Sequence, residues 1–238
     1  MKPDTAYLRW TLNERIQHWV LASSFFVLVV TGFQLRYPNV WWAKLLSGGE
    51  FLFNLRGVLH RTAGAIMLGI GFYHIVYMAA TSRGLQLSRY LIPKKQDLND
   101  LTQYLGYNFG LKKHPPKFGH FNYMEKVEYF AVIWGTVIMG ITGLMLWFET
   151  FTLTLFPKWS IDLLTVIHLY EAWLATLAIV VWHFYYVIFN PDVYPINTCM
   201  FDGRMSDREL RHEHTLLWQA LQEQQSQHEQ TKEDMETN

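Results

Sequence analysis

Four long apolar runs constrain this chain more than any other feature. They cover residues 16–35, 57–80, 127–148 and 163–189, and none contains a proline. A helix crossing the bilayer needs about 20 mostly apolar residues, and each run meets that length. A soluble domain with four such runs would keep too little polar surface to cover them. The expected fold is all-α, an integral membrane four-helix bundle. Lys+Arg and Asp+Glu balance at 20 each. That balance gives no reason to expect nucleic acid as a partner and leaves membrane lipid as the surrounding medium. The lone Cys199 excludes an internal disulfide framework and a four-thiolate zinc or iron–sulfur site. The opening MKPDTAYLRWTLNERIQHW carries acidic residues and no cleavable apolar core, so no removable signal peptide is expected.

The charges between the runs set an orientation. The linker over residues 81–122 holds Arg83, Arg89, Lys94, Lys95, Lys112, Lys113 and Lys117, against Asp97 and Asp100. One of the other connections holds Arg36, Lys44 and Arg56, and the other holds Lys158. Basic loops stay in the cytoplasm. The linker and both termini are therefore expected on the cytoplasmic side of a bacterial inner membrane, with the chain crossing it several times. Trp41, Trp42 and Trp159 then fall at the outer interface, where amphipathic rings collect. Residues 1–195 are expected to form the transmembrane domain, and 196–238 a polar cytoplasmic tail. In the tail, the sequence predicts a short amphipathic helix over 208–223 followed by disorder, with His212, His214 and His228 solvated.

Five histidines lie in or at the edge of the apolar runs: His18, His60, His74, His168 and His183. An ionisable group inside a membrane needs a partner or a task. His60 and His74 stand 14 residues apart, which returns within about 40° of one helix face and spans about 21 Å. His168 and His183 stand 15 apart, within about 60° of one face and about 22 Å along the axis. The second and fourth helices run in the same direction. His60 and His168 thus share one depth, near the outer face, while His74 and His183 share the other. His18, at the start of the first helix, joins the inner group. Two stacked bis-histidine haems, bound without thioether links for want of a Cys-x-x-Cys-His, require this arrangement. Gly64, Gly71, Ala22 and Ala172 lie a turn from the histidines and are candidates to clear a slot for each porphyrin, although small residues also serve helix packing. Arg15, Arg56 and Arg61 are candidate propionate partners. Depth matching pairs His74 with His183 at the inner iron. Glu171, three residues after His168, is a candidate to anchor that imidazole, to relay protons or to pair with Arg56 or Arg61.

Arg15-x-x-His18-Trp19, Arg56 with His60, the pair His168 and His183, and the stretch Phe121-Asn122-Tyr123-Met124-Glu125-Lys126 carry a resemblance over about residues 9–195. The chain resembles the cytochrome b subunits of membrane-bound formate dehydrogenase and nickel–iron hydrogenase, a superfamily that includes bacterial cytochrome b561. The resemblance implies two b haems, the outer on His60 and His168 and the inner on His18 and His183. It also implies a quinone contact through Asn122, with Lys126 beside it. Three departures stand out: the fourth-helix spacing is 15 where the formate dehydrogenase subunits have 14, His74 is additional, and the linker before the third helix is long, with KKHPPKFGHFNY just ahead of it. His74 is then an alternative inner ligand, a quinone partner or a ligand to a third haem. The LYEAW and FNPDVYP stretches resemble a bacterial subgroup paired with periplasmic c-type cytochromes.

The function expected on these grounds is a transmembrane dihaem cytochrome b. It would pass electrons between the quinone pool and a periplasmic redox partner, either a dehydrogenase subunit or a c-type cytochrome. The alternative is a membrane anchor, with or without haem, that has no quinone site of its own. A self-associated form stays open. Orientation has a direct check: cytoplasmic reporters fused at Lys95 and at the C-terminus should be active, as should a periplasmic reporter at Ser47. The reverse pattern would exchange the compartments that the two histidine levels face.

Overall fold

The computed structural model describes residues 6–47, 50–191 and 193–236. Among the described residues the fold is all-α apart from one short strand pair, and four helices are long and apolar enough to cross a membrane. They are α1 (Leu12–Arg36), α3 (Glu50–Ala80), α6 (Tyr123–Trp147) and α8 (Trp159–Leu177). The last continues to Phe189 through wide, π-type turns over Ala178–His183 and Tyr185–Phe189. Short helices α2 (Trp41–Ser47) and α7 (Glu149–Leu155) follow α1 and α6. The spans bury little of themselves. Phe26, Phe72, Trp134 and Val181 are each more than 60% exposed, a surface that hydrocarbon covers and water would not tolerate.

The chain divides into two compact units. One holds the spans, Leu12–Ala80 and Phe130–Asn197. Here α1 and α3 pack along their length, joined by polar pairs as well as apolar contact. Gly140 lets α6 approach α3: a Cβ there would stand 2.7 Å from the Leu68 Cδ2. The buried hydroxyls of α1 are satisfied by their own helix. Ser24 donates to the Leu21 carbonyl at 2.9 Å, and Thr31 to the Val27 carbonyl at 2.6 Å.

The other unit comprises the described parts of Met1–Thr11, Thr81–Tyr129 and Thr198–Asn238. Strand β1 (Tyr7–Leu8) pairs antiparallel with β2 (Arg204–Met205). Between β2 and α9 (Cys199–Asp202), the chain turns at Gly203, whose φ of +81° suits glycine. Helices α4 (Ser82–Leu91) and α5 (Lys95–Asn108) come from the basic linker. Helices α10 (Asp207–Glu213) and α11 (Thr215–Glu236) come from the tail. The polar tail expected to stand apart is thus built into a three-segment unit, and the stretch expected to be disordered after Glu223 is helical to Glu236. Its mean polarity hides an apolar stripe. Leu217, Trp218 and Leu221 recur at helical spacing and pack on a core of Cys199, Met205 and Leu210, together with Tyr7 and Trp10. A Ser206–Glu209 capping box starts α10, and the Trp218 indole donates to Asp207 at 2.7 Å.

Charge is buried in this unit with partners. The Arg9 guanidinium is 1% exposed, reaches Glu125 at 3.1 Å and lies over the rings of Trp10 and Phe121. His214, expected to be solvated, is also 1% exposed, and its Nδ1 donates to the Gly119 carbonyl at 2.7 Å. His120 stacks on Tyr90 with ring centroids 4.7 Å apart. Burial, with Arg9, Arg83 and His214 nearby, holds its pKa down at about 3. Burial likewise lowers that of His214, against the opposing pull of Glu125.

Both imidazoles are therefore neutral in the fold, while an unfolded chain protonates them below about pH 6.5. Their stabilising contribution is complete above that pH and is lost as pH falls through it towards the folded values. Limited proteolysis of α11 should accelerate between pH 7.5 and pH 5, and His120→Phe should flatten the dependence. Equal protection across that range would contradict the assignment.

Candidate functional site

The structure brings four of the five intramembrane histidines into two facing pairs. His60 on α3 faces His168 on α8 with ring centroids 6.3 Å apart and planes at 68°. His18 on α1 faces His183 at the end of the wide-turned segment of α8, again at 6.3 Å, with planes at 38°. With metal–nitrogen bonds of about 2 Å and a centroid roughly 1.1 Å behind each nitrogen, two imidazoles on one iron stand about 6 Å apart. Both pairs have the separation that a bis-histidine haem iron requires, so the residues present fit the cofactor.

The outer pair is held from behind. The Thr31 Oγ1 lies 3.0 Å from the His60 Nδ1, and the Thr142 Oγ1 lies 2.8 Å from the His168 Nδ1. Each threonine is followed by a glycine that makes room for the ring it touches. A Cβ on Gly32 would stand 3.1 Å from the His60 Cε1, and one on Gly143 would stand 3.2 Å from the His168 Cε1. Sequence reasoning missed these four residues. The available signal was the dipeptide Thr-Gly, repeated at 31–32 and 142–143. At Gly64 and Gly71, an added Cβ would meet only Leu28 and Thr136, each at an ordinary 3.8 Å.

The inner pair depends on an irregularity in α8. In a regular helix, 15 steps of about 100° carry His183 about 60° past His168. A π turn holds about 4.4 residues, or about 82° per step. With the last five steps widened, His183 comes to about 30° short of the same line, near the position that 14 regular steps would give. The wide turns thus absorb the extra residue. Their signature is direct: at the end of the segment that carries His183, the Phe184 N–H donates to the Ile179 carbonyl, five residues back.

His74 pairs elsewhere. Its Nδ1 lies 2.8 Å from the Gln17 Oε1, and the Gln17 amide in turn donates to the Asn13 Oδ1. Asn13 donates to the Tyr73 hydroxyl at 2.6 Å, and the Tyr77 hydroxyl donates to Glu14 at 3.0 Å. This polar seam joins the start of α1 to the end of α3.

The remaining candidates are placed as follows. Arg15 and Arg56 are half-buried, three residues before His18 and four before His60. The Arg61 guanidinium lies over Trp147, 5.6 Å from the ring centroid, in a cleft of about 610 Å³ that also includes Glu149 and Thr154. Glu171 turns towards α6, where its Oε1 stands 3.2 Å from the place a Gly135 Cβ would occupy. Asn122 and Glu125 form a reciprocal cap at the start of α6. The Glu125 N–H donates to the Asn122 side chain at 2.8 Å, and the Asn122 N–H to the Glu125 carboxylate at 2.7 Å. Lys126 is buried and bound to both oxygens of Asp97, at 2.7 and 2.9 Å. The cap engages only the oxygen of the Asn122 amide, as an acceptor, and leaves its NH2 as a donor.

Four apolar helices and paired intramembrane imidazoles define a haem-binding membrane protein. The family model of the prokaryotic cytochrome b561 matches residues 9–198. The chain belongs to that family: it is a multi-pass bacterial membrane cytochrome b that carries haem b and transfers electrons. It is similar to the formate dehydrogenase cytochrome b556(fdo) subunit of Escherichia coli K12, at 22% identity over 78% of this chain and 80% of that one. It is also similar to the formate dehydrogenase cytochrome b556 subunit of Haemophilus influenzae, at 24% identity over 63% of this chain. The match spans 58% of the length of the Haemophilus subunit.

Proposed function

We propose that the chain is a dihaem electron-transfer subunit of the inner membrane, passing electrons between the quinone pool and a periplasmic redox partner. The observation that carries this reading is the recurrence of the 6.3 Å imidazole pair at both histidine levels of the bundle. Haem b at each pair supplies a one-electron carrier, and two of them divide a bilayer too thick for one transfer step. His60 and His168 hold the outer site, and His18 and His183 the inner. Arg15, Arg56 and Arg61 lie near enough in sequence to the ligands to meet propionates. The termini and the linker are cytoplasmic.

The partner is a dehydrogenase subunit, as the names of the relatives suggest, or a c-type cytochrome. The quinone end is assigned to the inner pair. There His74, hydrogen-bonded to the residue next to His18, supplies a polar group for a quinone oxygen. The salt bridge that holds Lys126 on Asp97 favours a second reading, a haem-bearing anchor with no quinone site.

Quinol reduction of the purified full-length protein separates the two. His74→Ala should keep its full haem content and lose tenfold or more in the rate of haem reduction by quinol, about 1.4 kcal/mol or more in barrier terms. Asn122→Ser, which preserves a cap, should react at the wild-type rate. A wild-type protein whose haem is not reduced by quinol would leave the anchor. Loss of the inner haem in His74→Ala but not in His18→Ala would exchange the inner ligands.

A further inference from the structure

Each outer imidazole meets a threonine hydroxyl whose own proton is already committed. The Thr31 Oγ1 lies 2.6 Å from the Val27 carbonyl oxygen, and the Thr142 Oγ1 lies 2.7 Å from that of Ile138. A carbonyl oxygen accepts only, so the hydroxyl proton points back along its own helix. The hydroxyl oxygen then accepts from the imidazole, and at His60 the Leu28 carbonyl is a second acceptor beside it. The Nδ1 atoms of His60 and His168 therefore both carry hydrogen, and both Nε2 atoms keep the lone pair that an iron needs. Both threonines are about 4% exposed, so water does not compete for these bonds.

The arrangement is duplicated across the bundle. The outer ligands come from α3 and α8, while the threonines come from α1 and α6, the two spans that supply no outer ligand. In each case the following glycine leaves room beside the Cε1 of the same ring. A ring held by a hydroxyl at one edge and fitted against a glycine next to it has little freedom to rotate about the axis through its coordinating nitrogen. The two planes are fixed at 68°, while the inner pair stands at 38°.

We infer that Thr31 and Thr142 are positioning residues of the outer haem, fixing the tautomer and ring planes of His60 and His168 and so the electronic character of that iron alone. An acceptor on Nδ1–H draws the proton outward and makes the imidazole a stronger donor to the metal. Stronger donation favours the oxidised iron and lowers its potential. Steeply crossed imidazole planes also bring two iron d orbitals closer in energy, which broadens the spread of g values in low-spin ferric iron.

This inference rests on the two-haem reading, and the experiment separates the two. Full-length Thr31→Val and Thr142→Val proteins are purified with Ser counterparts, and haem content, redox titration and low-temperature EPR are recorded. The Val variants should keep both haems, raise the potential of the outer one and shift its g values, with the inner signal unchanged. The Ser variants should match wild type. Val variants with full haem content and unaltered potential and EPR overturn the inference. If Val expels the outer haem, Ser decides: wild-type signals uphold the role of the hydroxyl, and signals or losses like those of Val show methyl packing and overturn it. Failure of the two-haem reading has a different sign, namely a wild-type protein with one low-spin signal, or an outer signal that survives His60→Ala.

Discussion

An imidazole placed in hydrocarbon has two ring nitrogens and no water to satisfy them. Leaving one of them unpaired costs about 1–3 kcal/mol or more. Much of the span architecture follows from that constraint. At the outer level, Thr31 and Thr142 take one nitrogen of each ring, and the other faces the opposite imidazole across the width of an iron site. The helices must therefore stay apart where the rings face each other and close elsewhere. The close approach is made through glycines, at Gly140 against Leu68 between α6 and α3 and at Gly32 against His60 between α1 and α3.

The same constraint separates His74 from the other four. Its Nδ1 is taken by Gln17, which continues through Asn13 to Tyr73. Amide side chains hold a hydrogen-bonded chain in one sense, each carbonyl accepting and each NH2 donating, but they pass on protons poorly. The seam therefore reads as an orienting device for His74 and not as a proton wire. The seam ties the extra histidine to Gln17, the residue beside His18.

Most of the span architecture was legible in the sequence, because the bilayer imposes a length and a composition that four runs satisfy. The histidine levels were legible from helical spacing. The facing of His18 with His183 was not, since depth alone matched His74 to His183. Two other features resist reading for physical reasons. A wide turn leaves no residue signature in a run such as AIVVWH, yet it moves His183 through almost a quarter-turn. The tail looks disordered beyond Glu223 because Met235 is the one apolar residue there, whereas its fold depends on where Leu217, Trp218 and Leu221 fall. Asn122 shows how one residue carries two readings: the resemblance points to a quinone contact, and the fold gives it a cap with Glu125 that uses only its side-chain oxygen.

The central claim is that each facing pair of imidazoles holds one iron. Haem quantification per chain, by the pyridine haemochrome of purified wild-type, His168→Ala and His183→Ala proteins, tests it most directly. The account predicts two b haems in the wild type and one in each variant, with different absorption maxima because a different haem remains. One haem in the wild type, or two retained in either variant, would contradict it.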